Sequence, residues 1–287
     1  MIACDLGSNT FRVVEIDCKS KERVREFEKI VKTADGLAQS GKISFKAQSR
    51  IIDAINEAKE IFKLQDAYCV TTAALRIASN SSEVLKNIKD ATGVEFKIID
   101  SNKEAKYAKI AVENRLDALK IKSDDYIIMD LGGGSTELIF KEFDKSFDIG
   151  IVTIVDIYSL GDIKEGIKKE FLEIKEFAES VKKPQTFIAT AGTPTTVAAF
   201  LQGMDYENYD YKKVNGTILS LRDIEDALEK LLLLSESERV RWVGVRRDDL
   251  IIAGVLMFKE IVEIFGFDEV LVVDDGVREG LALSRCR

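Results

Sequence analysis

Short apolar runs alternate with longer amphipathic stretches along the chain, the pattern left by strands and helices taking turns. Ile2 to Asp5 and Phe11 to Ile16 predict a hairpin, with further short strands around Val24 to Lys32. Ile51, Ile52, Ile55, Ala58 and Ile61 share one face of a helix from about Ser44 to Phe62. A buried strand, Ala67 to Thr71, leads into a short helix opened by Thr72 to Arg76; Ser82 caps another through Ile88. Glu95 to Ile99 is a strand, and Lys103 to Leu119 a long helix. The second half restarts with a hairpin at Ile127, then helices around Val152 to Ser159 and Ile163 to Val181 and the strand Thr186 to Thr190. Helices Thr195 to Leu201, Leu221 to Leu234 and Asp248 to Phe265 follow, then the strand Glu269 to Val273 and a closing helix after Gly276. This alternation predicts an α/β protein. No linker marks a boundary. The restart near residue 120 suggests domains 1–120 and 121–287, with the last helix able to pack back on the first.

Both restarts carry the same pattern. Ile2-Ala-Cys-Asp5-Leu-Gly7-Ser8-Asn9-Thr10-Phe and Ile127-Ile-Met-Asp130-Leu-Gly132-Gly133-Gly134-Ser135-Thr136-Glu137 each run from an apolar strand through Asp and a glycine turn into a second strand. Glycine removes Cβ atoms and permits positive φ, so successive N–H groups can converge on an anion, while Ser8, Ser135 and Thr136 add hydroxyl donors. The Asp before each turn can hold a cation or a water beside that anion. Neither turn has the Gly-x-x-x-x-Gly-Lys-Ser/Thr of a P-loop, and each leads into a strand instead of a helix. Taken singly, each reads first as an ordinary tight hairpin; it is the repetition that favours two phosphate sites facing each other across a cleft.

Composition narrows the chemistry. The 287 residues, 46% apolar and 32% charged, suit two globular domains. A net charge of −8 opposes a general nucleic-acid or anionic-membrane surface. Histidine is absent, which excludes Ser-His-Asp and Cys-His catalysis and His-ligated metals within this chain. Acid–base work falls to carboxylates, and a metal would take oxygen ligands, which suits Mg²⁺. Cys4, Cys18, Cys69 and Cys286 form no Cys-x-x-Cys pair and read as buried, reduced thiols of a cytoplasmic protein. No apolar run approaches a membrane span, and a homodimer is compatible with all of this.

A third glycine turn, Thr190-Ala191-Gly192-Thr193-Pro194-Thr195, follows a strand and precedes a helix. The three elements in this order resemble the phosphate and adenosine loops of the acetate kinase, sugar kinase, Hsp70 and actin superfamily, which implies ribonuclease H-like domains with mixed sheets flanked by helices. Within it, the wording resembles the exopolyphosphatase and guanosine pentaphosphate phosphohydrolase (Ppx/GppA) family. Asp5 to Arg12, Asp35-Gly-Leu, Ser40 to Ser44, Thr71 to Arg76, Ile99 to Glu104, Asp130 to Leu138, Arg247 to Gly254 and Asp275 to Gly280 resemble its blocks in order. They cover nearly the whole chain.

The resemblance implies metal-assisted hydrolysis of a terminal phosphoanhydride, in inorganic polyphosphate or guanosine pentaphosphate. Glu104 matches the catalytic glutamate and would activate the attacking water; its bland alternative is to complement its helix dipole. Asp5, Asp130 and Glu137 would supply oxygen ligands for Mg²⁺, directly or through water; the alternative for Glu137 is a solvated strand residue. Gly7, Ser8, Asn9, Gly132, Gly133, Gly134, Ser135, Gly192 and Thr193 would cradle phosphates. Arg76 would clamp the transferred group or else form an interdomain ion pair. Lys32 stands where arginine is common, Ile149 to Thr153 lacks an arginine, and Asp100 to Lys103 is less acidic than usual; these departures imply weaker anion binding. A superfamily kinase using ATP and a non-catalytic alarmone-binding regulator are the competing readings.

Overall fold

The computed structural model describes residues 1–286. The chain divides into two compact units: residues 1–114 with 275–287, and residues 115–274.

In the first unit, β1 (Ile2–Leu6), β2 (Thr10–Ile16) and β3 (Arg23–Ile30) form an antiparallel meander. The chain passes through α1 (Leu37–Ser40) and α2 (Phe45–Lys59) to β4 (Tyr68–Thr71), then through α3 (Ala73–Ile77) and α4 (Ser81–Thr92) to the short β5 (Lys97–Ile98). Both β4 and β5 join in parallel, giving a mixed five-stranded sheet in the order β3-β2-β1-β4-β5. Ser44 starts α2 by accepting a bond from Ala47 N–H, and Ile51, Ala54 and Ile55 bury the face that the spacing predicted. α5 (Ser101–Leu119) then leaves the sheet.

The second unit repeats the plan. β6 (Tyr126–Leu131), β7 (Thr136–Phe140) and β8 (Asp144–Phe147) are an antiparallel meander. α6 (Ile151–Ile157), α7 (Ile163–Glu170) and α8 (Leu172–Ser180) lead to β9 (Thr186–Thr190), which lies parallel to β6. After β9 come α9 (Gly192–Leu201), α10 (Tyr211–Val214), β10 (Ile218–Ser220), α11 (Leu221–Leu233), α12 (Glu236–Val243), α13 (Ile251–Ile264) and β11 (Glu269–Val272). The sheet has six strands in the order β10-β11-β9-β6-β7-β8. β6 is buried on both faces, and α13 is apolar nearly all round because it runs through the core, where Met257, Phe258, Ile261 and Val262 join Ile127, Met129 and Phe187.

The helix expected over 163–181 divides at Phe171, whose ring is buried in that core while its backbone, at φ −89° and ψ 8°, leaves the helical path. β8, α10, β10 and α12 are too short to have left a readable period. The strand expected to end at Ile99 shrinks to two exposed residues of β5.

α14 (Val277–Leu283) returns to the first unit and packs on β1 and β2. Its Gly280 meets α5 so closely that a Cβ there would lie 1.7 Å from the Tyr107 carbonyl oxygen. Glu279, fully buried beside it, takes a bond from Arg278 Nε at 2.6 Å and lies 3.2 Å from Arg23 at the start of β3. Burial alone would push the Glu279 carboxyl upward, but Arg278, Arg23 and the Gly276 N–H together hold it below the ordinary carboxylate range.

The cysteines correct an expectation. Cys4 and Cys69 are free, buried neighbours across β1 and β4, and burial together with the Cys69 contact pushes the Cys4 thiol well up, the Cys69 hydrogen bond being the larger cause. Cys18 and Cys286, expected to be reduced, instead form a disulfide across a sequence separation of 268 residues. Local spacing cannot announce a bond that joins the two ends of a chain. In a chain-entropy picture a loop of that length is worth on the order of 5 kcal/mol. No helix among the described residues is long and apolar enough to cross a membrane.

Candidate active site

The two glycine turns share one geometry. Gly7 N–H donates to Thr10 O at 2.9 Å, and Gly132 N–H donates to Ser135 O at 3.0 Å. Each turn is backed by the chain that follows the third strand of its meander. Behind the first, Val31 and Lys32 N–H donate to Asn9 O and Ala34 N–H to Ser8 O. Behind the second, Ile151 N–H donates to Gly132 O and Val152 N–H to Gly133 O. This second seat is tight, since a Cβ on Gly150 would lie 2.5 Å from the Gly133 carbonyl carbon. Thr153 Oγ1 fastens Gly150 by accepting from its N–H at 2.7 Å. Ser8 and Ser135 are both buried.

The strands before and after each turn pair in register, so the residues facing each other are fixed. Asp5 lies across from Arg12, which lies across from Glu28 on β3 and bonds it at 2.8 Å. Asp130 lies across from Glu137, which lies across from Ser146 on β8. Asp130 and Glu137 are 9% and 1% exposed, so Glu137 is not a solvated strand residue. Ser146 Oγ donates to Glu137 Oε1 at 2.9 Å.

Glu104 stands in the first turn of α5 and is buried, with 8% of its surface exposed. Arg76 Nη1, from α3, donates to Glu104 Oε2 at 3.0 Å and to Ile99 O at 3.1 Å. The pair Arg76 makes is thus with Glu104 inside the first unit, and that counter-charge offsets the desolvation of a buried carboxylate. Both residues follow the carboxyl ends of parallel strands, where open α/β sheets place their ligands. Thr71 Oγ1, bonded to Leu6 O at 2.7 Å, ties the end of β4 to the end of β1 just before the first turn.

Gly192 opens α9 and is preceded by Ala191, whose φ of 75° and ψ of −176° suit glycine far better. Thr193 is buried, its Oγ1 so close to Gly254 of α13 that a Cβ there would lie 2.4 Å away. Among the described residues no group of three or more His, Cys, Asp or Glu side chains is gathered as a preformed metal cage. Sequence reasoning missed Ser146 and the bracing role of Gly150; their signal was the third strand, which pattern alone did not reveal.

Two units built on the same meander-plus-parallel-strand plan, each with a glycine turn after its first strand, define the actin-like α/β class. The chain belongs to the Ppx/GppA phosphatase family, whose model matches residues 13–287. The crystal structure of the Aquifex aeolicus member of that family superposes with a TM-score of 0.75 at 28% identity, covering 99% of this chain and 96% of that one. Exopolyphosphatase 2 of Mycobacterium tuberculosis is 23% identical over 98% of this chain and 97% of its own. A guanosine-5'-triphosphate,3'-diphosphate pyrophosphatase of Photobacterium profundum is 25% identical over 98% of this chain. The chain spans about half the length of the longer curated relatives it matches, 56% of that one and 46% of another.

Proposed function

We propose that the chain hydrolyses a terminal phosphoanhydride and releases orthophosphate, with inorganic polyphosphate or guanosine pentaphosphate as substrate. The observation that carries this reading is the buried Glu104 carboxylate at the start of α5, held by Arg76 in a chain of this family. In its ionised form Glu104 orients a water and takes its proton as the oxygen attacks phosphorus. The backbone donors of Gly7 to Asn9 and Gly132 to Ser135, with Gly192 and Thr193 at the head of α9, hold phosphate oxygens. Arg76 both fixes Glu104 and places guanidinium charge beside the reacting group.

The donor set fits Mg²⁺. Asp130 and Glu137 bring oxygen ligands side by side in a buried place, where two like charges across a strand pair favour a shared cation. A Mg²⁺ held by Asp130 and Glu137 would draw charge from the phosphate oxygens. It keeps several water or phosphate ligands by preference, so a pair of carboxylates suffices without a full protein cage. Asp5, the third expected ligand, lies across from Arg12, so the metal reading rests mainly on the other two. A homodimer remains part of the proposal, whereas the Cys18–Cys286 bond removes the reduced-thiol argument for a cytoplasmic setting.

The test is Mg²⁺-dependent orthophosphate release from long-chain polyphosphate and from guanosine pentaphosphate, measured in parallel. Glu104→Gln should lower release about 10²–10⁴-fold while leaving substrate binding in place. Binding of guanosine pentaphosphate without release by the unaltered chain would replace the hydrolase with the alarmone-binding regulator, and phosphate transfer from ATP to an acceptor would replace it with the kinase.

A further inference from the structure

We propose that Ser146 is a positioning residue for Glu137, setting the carboxylate that, on the reading above, shares a cation with Asp130. Nothing in the motif assigns it a role. The three residues fall in one row across β6, β7 and β8, because Asp130 pairs with Glu137 and Glu137 pairs with Ser146 in register. Alternation along β8 sends Lys145 and Phe147 to the opposite face, where Phe147 is buried in the core. Ser146 therefore meets Glu137 by the geometry of the sheet and not by a chance rotamer.

The contact is the right one for orientation. Ser146 Oγ donates to Glu137 Oε1 at 2.9 Å. Glu137 is only 1% exposed, so bulk water cannot supply that donor in its place. A glutamate has three rotatable torsions, and a metal that needs near-ideal octahedral geometry tolerates little wandering of its ligands. A hydroxyl that pins one carboxylate oxygen fixes the direction in which the other is presented. Partners of this kind, one bond removed from a metal, commonly govern affinity by 10–100-fold when they are lost.

The experiment measures Mg²⁺ binding to the full chain by calorimetry in the absence of substrate, with the melting temperature of the metal-free protein beside it. Ser146→Ala should weaken Mg²⁺ binding by about 10–100-fold with the metal-free melting temperature held. Ser146→Thr, which keeps the hydroxyl on a β-branched side chain suited to a strand, should restore most of the affinity. Glu137→Gln separates the two claims. If it binds Mg²⁺ as the unaltered chain does, the metal reading falls and takes this inference with it. If Glu137→Gln loses binding while Ser146→Ala keeps it, the inference alone is wrong. Equal losses in Ser146→Ala and Ser146→Thr, with a lowered metal-free melting temperature in both, would mark Ser146 as structural and overturn its positioning role.

Discussion

The Asp5 and Asp130 hairpins share one turn geometry, yet their charges and supports differ. Across the first, Asp5, Arg12 and Glu28 alternate in sign from strand to strand. Across the second, Asp130 and Glu137 repeat one sign and end on a neutral hydroxyl. The first row balances its own charge; the second is the one that the proposed function gives to a cation. The supports differ in kind as well: β3, the outer strand of the first meander, is anchored through Arg23 to buried carboxylates, whereas the second turn is braced by the close approach of Gly150. A duplicated scaffold thus leaves room for unequal chemistry, since backbone geometry sets the turn while one side chain per strand sets the charge.

The largest test of that contrast removes the ionic anchor. Glu279→Gln leaves Arg23 and Arg278 buried with one carboxylate fewer, and should destabilise the first unit by about 3–5 kcal/mol, read as a separate early transition in calorimetry. The same group gives a pH signature. Its folded pKa lies below its ordinary value, so its stabilising contribution is present above the unfolded range near ~4.3 and is lost as pH falls through the lower folded value. Melting temperature against pH should fall less steeply on the acid side in Glu279→Gln than in the unaltered chain, the remainder coming from other lowered carboxylates such as Asp223.

A smaller effect compares the glycines. At Gly132 a Cβ would lie 2.9 Å from Ser135 O and at Gly150 2.5 Å from Gly133, whereas at Gly7 it would meet only Thr10 O at 3.6 Å. Gly150→Ala and Gly132→Ala should each cost about 1–3 kcal/mol and depress phosphate release; Gly7→Ala should melt within about 0.5 kcal/mol of the parent. Equal tolerance at the three sites would contradict the claim that only the second turn is braced by packing.

The smallest effect is one of sign. In metal-free buffer Asp130→Asn relieves a like-charge pair and should raise stability, while Asp5→Asn removes an opposite charge facing Arg12 and should lower it, each by about 0.2–1 kcal/mol. Adding Mg²⁺ should reverse the order for Asp130→Asn alone. Urea midpoints with and without Mg²⁺ resolve both signs, and a common sign in metal-free buffer would end the distinction between the rows.

Much of this was legible in the sequence because the informative elements are long or repeated. The glycine turns announced themselves twice, and α2, α5, α11 and β6 carried clear periods or apolar runs. Glu104, the proposed base, stood out through its surrounding block. Its partner was not: the Arg76–Glu104 bond spans 28 residues, and no period connects the residue after one strand to the residue after the next. Ser146 was hidden for a related reason, since β8 has only four residues and mixed polarity. The disulfide lay beyond reach altogether, because it depends on where the fold brings residue 18 and residue 286.

That bond changes the connectivity of the molecule as a graph. From Cys18 to Cys286 the main chain and the sulfur link together form a closed covalent ring, and the whole of the second unit, residues 115–274, is contained in it. A protease that cuts one peptide bond inside that unit opens the ring into a linear thread without releasing a fragment. The two halves migrate as one species until a thiol reductant separates them.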